Sequence, residues 1–213
     1  MIVLSHRGRH AGNVHADNTL DAFSGAMGTG VDGVEVDVRV TRDGEAVLFH
    51  DPRTRGRRAV ATLTRDRLAT FARHDVPTLG EAFARFPHAI FDVELKTGSA
   101  LDAAAPAIKA VDPARILVTS FHRAFVAAAA RRLRVPCGLI LARRPRSLVK
   151  PPWKLFAANR YVRTVVLPLG AIDEHLVEAA HADGMSVFAW RLSKPAHRRR
   201  AAALGLDGII VDA

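Results

Sequence analysis

Along the chain, short runs of apolar and β-branched residues alternate with alanine-rich stretches whose apolar positions recur at helical spacing. The runs predict strands over 2–5, 34–40, 46–49, 89–95, 116–120, 138–141, 164–167, 186–190 and 208–211. Helices are predicted near 19–27, 78–86, 101–111, 123–133, 172–182 and 195–204. Strands alternating with helices build right-handed βαβ units and a parallel sheet. About eight such strands in a chain of this length predict an α/β fold, a (β/α)8 TIM barrel, with 1–213 as a single domain. Asp43-Gly44, between two β-like runs, is a turn signal, so a short hairpin excursion is expected after the second strand. An open doubly wound sheet is the runner-up. It is weakened because no Gly-x-Gly-x-x-Gly turn follows a strand. The one compositional break, rich in arginine and proline, runs from Arg143 to Arg160. It reads as a long surface loop with a short helix from Trp153.

Composition narrows the picture. With 213 residues and 49% apolar content, the chain has the material for a full core. Its single cysteine, Cys137, excludes an internal disulfide and a cysteine-based zinc cage. Set in Cys137-Gly138-Leu139-Ile140-Leu141, it is expected to be a buried, inert thiol. The opening apolar run, Met1 to Leu4, is too short for a secretory h-region. No stretch is long enough to cross a bilayer. A soluble, cytoplasmic protein is expected. The formal charge of +10 favours anionic partners: phosphate compounds, nucleic acid or an anionic membrane surface. Nucleic acid is not expected, because no recognition motif is present and one tyrosine and two tryptophans offer little stacking surface.

The chemistry gathers at the strand ends. His6 and Arg7 fall at the C-terminal end of the first strand, the face on which barrel active sites are built. In Gly33-Val34-Glu35-Val36-Asp37-Val38, alternation puts Glu35 and Asp37 on one face and the valines on the other. Two carboxylates aimed into a barrel repel each other unless a cation sits between them. Oxygen ligands at that spacing suit a hard ion such as Mg²⁺ or Ca²⁺. Phe91-Asp92-Val93-Glu94-Leu95-Lys96 repeats the theme. Glu94 can complete a three-carboxylate site, Lys96 can offset charge or hold a phosphate oxygen, and Asp92, deeper in the strand, reads as structural. The hairpin returns His50 towards the first two strands, so His6 and His50 would flank the cluster as a general acid and base require. Asn18 reads as the cap of the first helix. His10 and His15 read as loop histidines.

This ordered set resembles the glycerophosphodiester phosphodiesterase family. The resemblance rests on His6-Arg7-Gly8, Asp17-Asn18-Thr19, Glu35-Val36-Asp37, Asp43-Gly44, His50-Asp51, Pro77-Thr78-Leu79, Glu94-Leu95-Lys96, Ser120-Phe121, Trp190 and the ending Gly205 to Asp212. It covers nearly the whole chain in order. It implies a (β/α)8 barrel that cleaves glycerophosphodiesters to glycerol 3-phosphate and an alcohol with one divalent cation, Mg²⁺ or Ca²⁺. It further implies Glu35, Asp37 and Glu94 as metal ligands, His6 and His50 as the acid–base pair, Arg7 and Lys96 as phosphate contacts, and Trp190 as an aromatic beside the substrate. Attack by the glycerol 2-hydroxyl through a cyclic phosphate is the route it suggests.

Two further readings stay open beside it. One is lysophospholipase D action on a chain-bearing substrate, with weak contact between an anionic membrane surface and the Arg143 to Arg160 segment through its arginines, lysines and Trp153. The other is a non-catalytic phosphate- or membrane-binding barrel, against which the intact set of carboxylates and histidines argues. The expected partner is a small-molecule phosphodiester. The sequence carries no signal of oligomeric state.

Overall fold

The computed structural model describes residues 1–9 and 14–212, the side chain of Arg191 excepted. His10 lies outside the described residues. Strands β1 (Ile2–His6), β2 (Gly33–Val40), β3 (Ala46–Leu48), β4 (Ile90–Leu95), β5 (Ile116–Ser120), β6 (Cys137–Ile140), β7 (Val162–Pro168), β8 (Ser186–Leu192) and β9 (Gly208–Val211) form one sheet. Its order is β1-β9-β8-β7-β6-β5-β4-β2, and β1 pairs with β2 to close the ring. That closure makes the fold a parallel eight-stranded barrel and excludes the open sheet. The expected hairpin excursion is present: β3 lies outside the ring, antiparallel to β2, with Val38 opposite Leu48 and Val40 opposite Ala46.

Helices α1 (Leu20–Met27), α2 (Arg65–Ala72), α3 (Leu79–Arg85), α4 (Gly98–Lys109), α5 (Arg123–Leu133), α6 (Glu174–Ala182) and α7 (Pro195–Ala203) surround the ring. Local chemistry starts them. Thr19 caps α1 by accepting from the Ala22 N–H, Thr78 and Glu81 form a capping box on α3, and Asp173 caps α6. The sequence pattern missed α2, whose only fully buried side chain is Leu68. Too little apolar stripe is present to mark a helix.

The outward faces of the strands pack on the helices, as with Val34, Val36 and Val38 of β2. The lumen is filled by Leu4, Leu117, Ile140, Val166, Phe188 and Ile210 from several strands. Gly33 shows how close the ring is drawn: a Cβ there would lie 1.8 Å from the carbonyl oxygen of Ile90, its partner across β4. Gly33→Ala is expected to pry β2 from β4 and to destabilise the protein by about 3 kcal/mol or more. A thermal melt followed by circular dichroism checks this, and an unchanged melt would contradict the register.

Between β6 and β7 no α-helix forms among the described residues. Arg144 instead pairs with Asp173, the cap of α6, at 2.7 Å. The indole N–H of Trp153 donates to Asp183, at the other end of α6, at 2.9 Å. The segment therefore runs along the outer wall in place of a helix, with a 3₁₀ turn over Pro152–Phe156. The turn at Trp153 is as expected. Its exposure is not: Trp153 is buried at 1% and packs with Val165 and Leu176. Its indole has no surface to offer a headgroup.

Cys137 is buried in β6, and burial pushes its thiol up to about 12. Native protein is expected to leave a thiol reagent unreacted at pH about 8, and unfolded protein to consume it, since a free thiol ionises near about 8.5. Reaction of the native chain at the unfolded rate would contradict the packing. No helix among the described residues is long and apolar enough to cross a membrane.

Candidate active site

Parallel register brings the acidic side chains of β2 and β4 together. Glu35 pairs with Asp92 and Asp37 with Glu94, while His6 of β1 pairs with Glu35. All four carboxylates are buried. Oxygens of Glu35, Asp37 and Glu94 lie within 4.8 Å of one another. Burial, with the negative charges of Asp37 and Glu94, holds Glu35 well above the usual carboxylate range. Burial also raises Glu94, although Lys96 opposes it, and pushes Asp92 up to about 7. The Thr119 hydroxyl donates to Asp92 Oδ1 at 2.6 Å, while Asp92 Oδ2 accepts no hydrogen bond and the residue lines the cavity.

Two cations face this cluster. Lys96 Nζ lies 2.8 Å from Asp37 Oδ1 and 2.6 Å from Glu94 Oε1, and Arg7 Nε lies 2.8 Å from Asp37 Oδ2. The two contacts to Asp37 are buried ion pairs. Burial alone would raise Asp37, yet Lys96 and Arg7 together hold it below its ordinary value. Glu35 Oε2 is buried and accepts no hydrogen bond. An all-oxygen set with mutual repulsion and an unsatisfied inward lone pair fits a hard divalent cation.

The histidines approach from two sides. The ring Nδ1 of His6 lies 2.6 Å from Asp212, which follows β9, and its Nε2 lies 3.8 Å from Glu35. His50 sits just past β3. The Phe49 N–H bonds to the Asp37 carbonyl at 2.9 Å, and Arg39 Nε donates to the His50 carbonyl at 2.7 Å. His50 Nδ1 lies 2.7 Å from Asp51. With Nδ1 so engaged on each ring, Nε2 is the atom left for chemistry.

A cavity of about 360 Å³ opens among these groups. His6, Arg7, Glu35, His50, Glu94 and Lys96 line one side, and Phe121, Ile140, Val166, Trp190 and Ile210 the other. Asp37 is fully buried behind the polar wall. The fold thus gathers every predicted site residue at one place. His122 does not line the cavity; it stacks at a tilt on Phe125.

Sequence reasoning missed several supporting residues. Asn18 does not cap α1; Thr19 does. Asn18 has φ +60 and turns inward, where its Nδ2 donates to Asp37 Oδ2 at 2.9 Å and its Oδ1 accepts the Asp37 N–H at 3.1 Å. Gly8, at φ +79, completes the turn that allows this, and a Cβ there would meet Phe23 at 2.7 Å. Asp212 was visible as a strand-end carboxylate, by the same logic that singled out His6. Phe121, edge-on to Trp190 at 6.1 Å, is the remaining unpredicted cavity residue of aromatic type.

A closed parallel barrel with an acidic cluster and flanking histidines at the strand ends is a site suited to cation-assisted acid–base chemistry. Residues 6–213 match the model of the Glycerophosphoryl diester phosphodiesterase family, and the chain belongs to that family. It is 29% identical to a glycerophosphodiester phosphodiesterase of Caldanaerobacter subterraneus subsp. tengcongensis, over 99% of this chain and 93% of that protein. The crystal structure of a glycerophosphodiester phosphodiesterase from Thermotoga maritima is 26% identical, covers 99% of this chain and 94% of its own, and superimposes with a TM-score of 0.85. The fold is also shared, at TM-score 0.85 and 21% identity, with an Oleispira antarctica phosphodiesterase solved in complex with the product sn-glycerol-3-phosphate. The match spans 100% of this chain and 93% of that one.

Proposed function

We propose that the chain hydrolyses glycerophosphodiesters to glycerol 3-phosphate and an alcohol, with Glu35, Asp37 and Glu94 holding one divalent cation, Mg²⁺ or Ca²⁺. The observation that carries this reading is the convergence of those carboxylates with His6 and His50 on one cavity. Family membership and the product bound by the Oleispira relative support it. When bound, the cation supplies Lewis-acid polarisation of a phosphoryl oxygen. Arg7 and Lys96 line the same side of the cavity and stabilise charge that develops on the phosphoryl group. One histidine Nε2 takes a proton from the glycerol 2-hydroxyl as it attacks phosphorus, and the other gives a proton to the leaving alcohol, which leaves a cyclic phosphate. Water then opens that ring with the two proton roles reversed, releasing glycerol 3-phosphate and restoring both histidines. Asn18 keeps Asp37 aimed, and Arg39 keeps His50 in reach.

The apolar wall of Phe121, Ile140, Val166, Trp190 and Ile210 favours a second reading of the same chemistry. Its hydrocarbon surface suits a chain-bearing substrate such as a lysophospholipid, which would make the activity that of a lysophospholipase D.

The test is release of glycerol 3-phosphate from glycerophosphocholine with Mg²⁺ or Ca²⁺ and with EDTA, beside a His50→Ala variant. Turnover that requires the cation and falls at least about 10²-fold in the variant is expected. Absence of turnover with every cation, on this substrate and on lysophosphatidylcholine, would overturn the proposal.

A further inference from the structure

The residues after His50 form a finger at the rim of the cavity. Arg53 bridges Ala59 across it, the Thr54 N–H bonds to the Arg58 carbonyl at 2.9 Å, and the Arg57 N–H bonds to the Thr54 carbonyl at 2.8 Å. Arg53 also donates from Nη1 to the Arg57 carbonyl at 2.9 Å. Thr54 is buried at the base, while Arg53, Arg55, Arg57 and Arg58 are all exposed. Among the described residues, none of these four guanidinium groups pairs with a carboxylate. Arg57 takes φ +62, a conformation that costs a non-glycine residue energy. Four like charges crowded onto a hydrogen-bonded loop repel one another, and among the described residues no carboxylate ion pair offsets them. The patch extends onto α2, where Arg58 and Arg67 both lie over the ring of Phe71, at 5.0 and 5.4 Å.

Two other features share this face. In a parallel barrel the loops that follow the ring strands emerge at one end. Val14, after β1, is 89% exposed, and Phe121, after β5, is 40% exposed. The finger is anchored at the same end through His50. Its four cations are all exposed along one short loop and do not line the cavity described above, so they match a broad polyanionic surface better than one small anion. The aromatic pair on this face, Phe121 with Trp190, is edge-to-face and lines the cavity, so it is no flat platform on which successive bases could stack.

We propose that the cavity face docks on an anionic phospholipid surface through the Arg53, Arg55, Arg57 and Arg58 finger, with Val14 and Phe121 resting at the headgroup level. The substrates are then glycerophosphodiesters held at that surface. The docking deepens the phosphodiesterase reading and relies on it only for the chemistry. Basic residues near an anionic leaflet strengthen binding by roughly fivefold each.

The experiment is co-sedimentation of the full chain with vesicles of phosphatidylcholine alone, and of phosphatidylcholine with about 30% phosphatidylglycerol. It is run on wild type and on the combined variant Arg55→Ser, Arg57→Asn, Arg58→Ser. Asparagine is used at 57 because it tolerates the left-handed conformation. Turnover of soluble glycerophosphocholine is read in parallel. Wild type is expected to bind the anionic vesicles only, with binding that weakens as salt rises. The variant is expected to bind them about a hundredfold less tightly, with soluble turnover unchanged. Equal binding to both vesicle types, or a variant that binds as wild type does, would overturn the proposal. Tighter binding of random-sequence DNA than of anionic vesicles would overturn it in favour of a nucleic-acid surface. A variant with an intact melt that loses soluble turnover would overturn it in favour of steering of a small anion. A wild type that binds anionic vesicles but turns over nothing would retain the docking and refute the phosphodiesterase reading instead. A single Arg55→Glu variant at the loop tip provides the same comparison should the combined variant fold poorly.

Discussion

Glu35→Gln is expected to lower kcat/KM by at least about 10³-fold and, at the same time, to stabilise the metal-free protein. The two effects share one cause. Glu35 is buried beside Asp37 and Glu94, with Oε2 accepting no hydrogen bond. That arrangement is unfavourable without a compensating cation, and a neutral amide relieves the repulsion while removing one carboxylate from the proposed cation site. The sign with pH follows from the direction of the shift. Glu35 is held well above its ordinary value, chiefly by burial. Its contribution to stability is therefore present in full below about pH 4.3 and is lost as the pH rises. In EDTA the variant should gain on wild type from about pH 5 to about pH 8, each kcal/mol appearing as about 2–4 °C in the melt. Calorimetric melts in EDTA, with turnover at saturating cation, check both halves. A variant that keeps its activity, or that melts lower than wild type in EDTA at the higher pH, would contradict the site.

Asp212→Asn is expected to lower kcat by about 10²–10⁴-fold while KM moves only a few-fold. Asp212 lies 2.6 Å from His6 Nδ1, and the His6 and Asp212 side chains are 13% and 20% exposed. The carboxylate holds the ring with its proton on Nδ1 and Nε2 turned to the cavity. An amide can donate to Nδ1 and so favour the wrong tautomer. Asp51 makes a similar contact with His50, but there the His50 and Asp51 side chains are 42% and 68% exposed. Water can replace that partner, so Asp51→Asn should cost no more than about tenfold. Equal losses at Asp51 and Asp212, or a loss at Asp212 confined to KM, would show that positioning of His6 is not what Asp212 provides.

How much of this was legible in the sequence depended on how local each signal is. The paired carboxylates of β2 and β4 declared themselves because alternation along a strand fixes which face a residue takes. Their partnership across strands followed once both were seen at strand C-terminal ends, and the return of His50 followed from the Asp43-Gly44 turn. The ring's closure could be inferred from the count of βαβ units, and the β1–β2 pairing establishes it. Contacts made at long range left no such trace. Trp153 finds Asp183 thirty positions further on, and nothing near it in sequence signals an inward indole. Asn18 looks like a helix cap because asparagine so often is one; the left-handed turn that swings it onto Asp37 depends on Gly8 and on α1 packing behind it. Helix α2 carries almost no apolar stripe, and its place is set by Leu68 meeting Val47, Val60 and Val76.

The central claim is that Glu35, Asp37 and Glu94 seat a divalent cation between the two histidines. The measurement that tests it most directly is calorimetric titration of Mg²⁺ and of Ca²⁺ into chelator-treated protein, on wild type and on Glu35→Gln and Asp37→Asn. Binding of one cation per chain in wild type, weakened at least about 10²-fold in each variant, is the result this account predicts. Binding that is undiminished in both variants, or absent from a folded wild type, would contradict it.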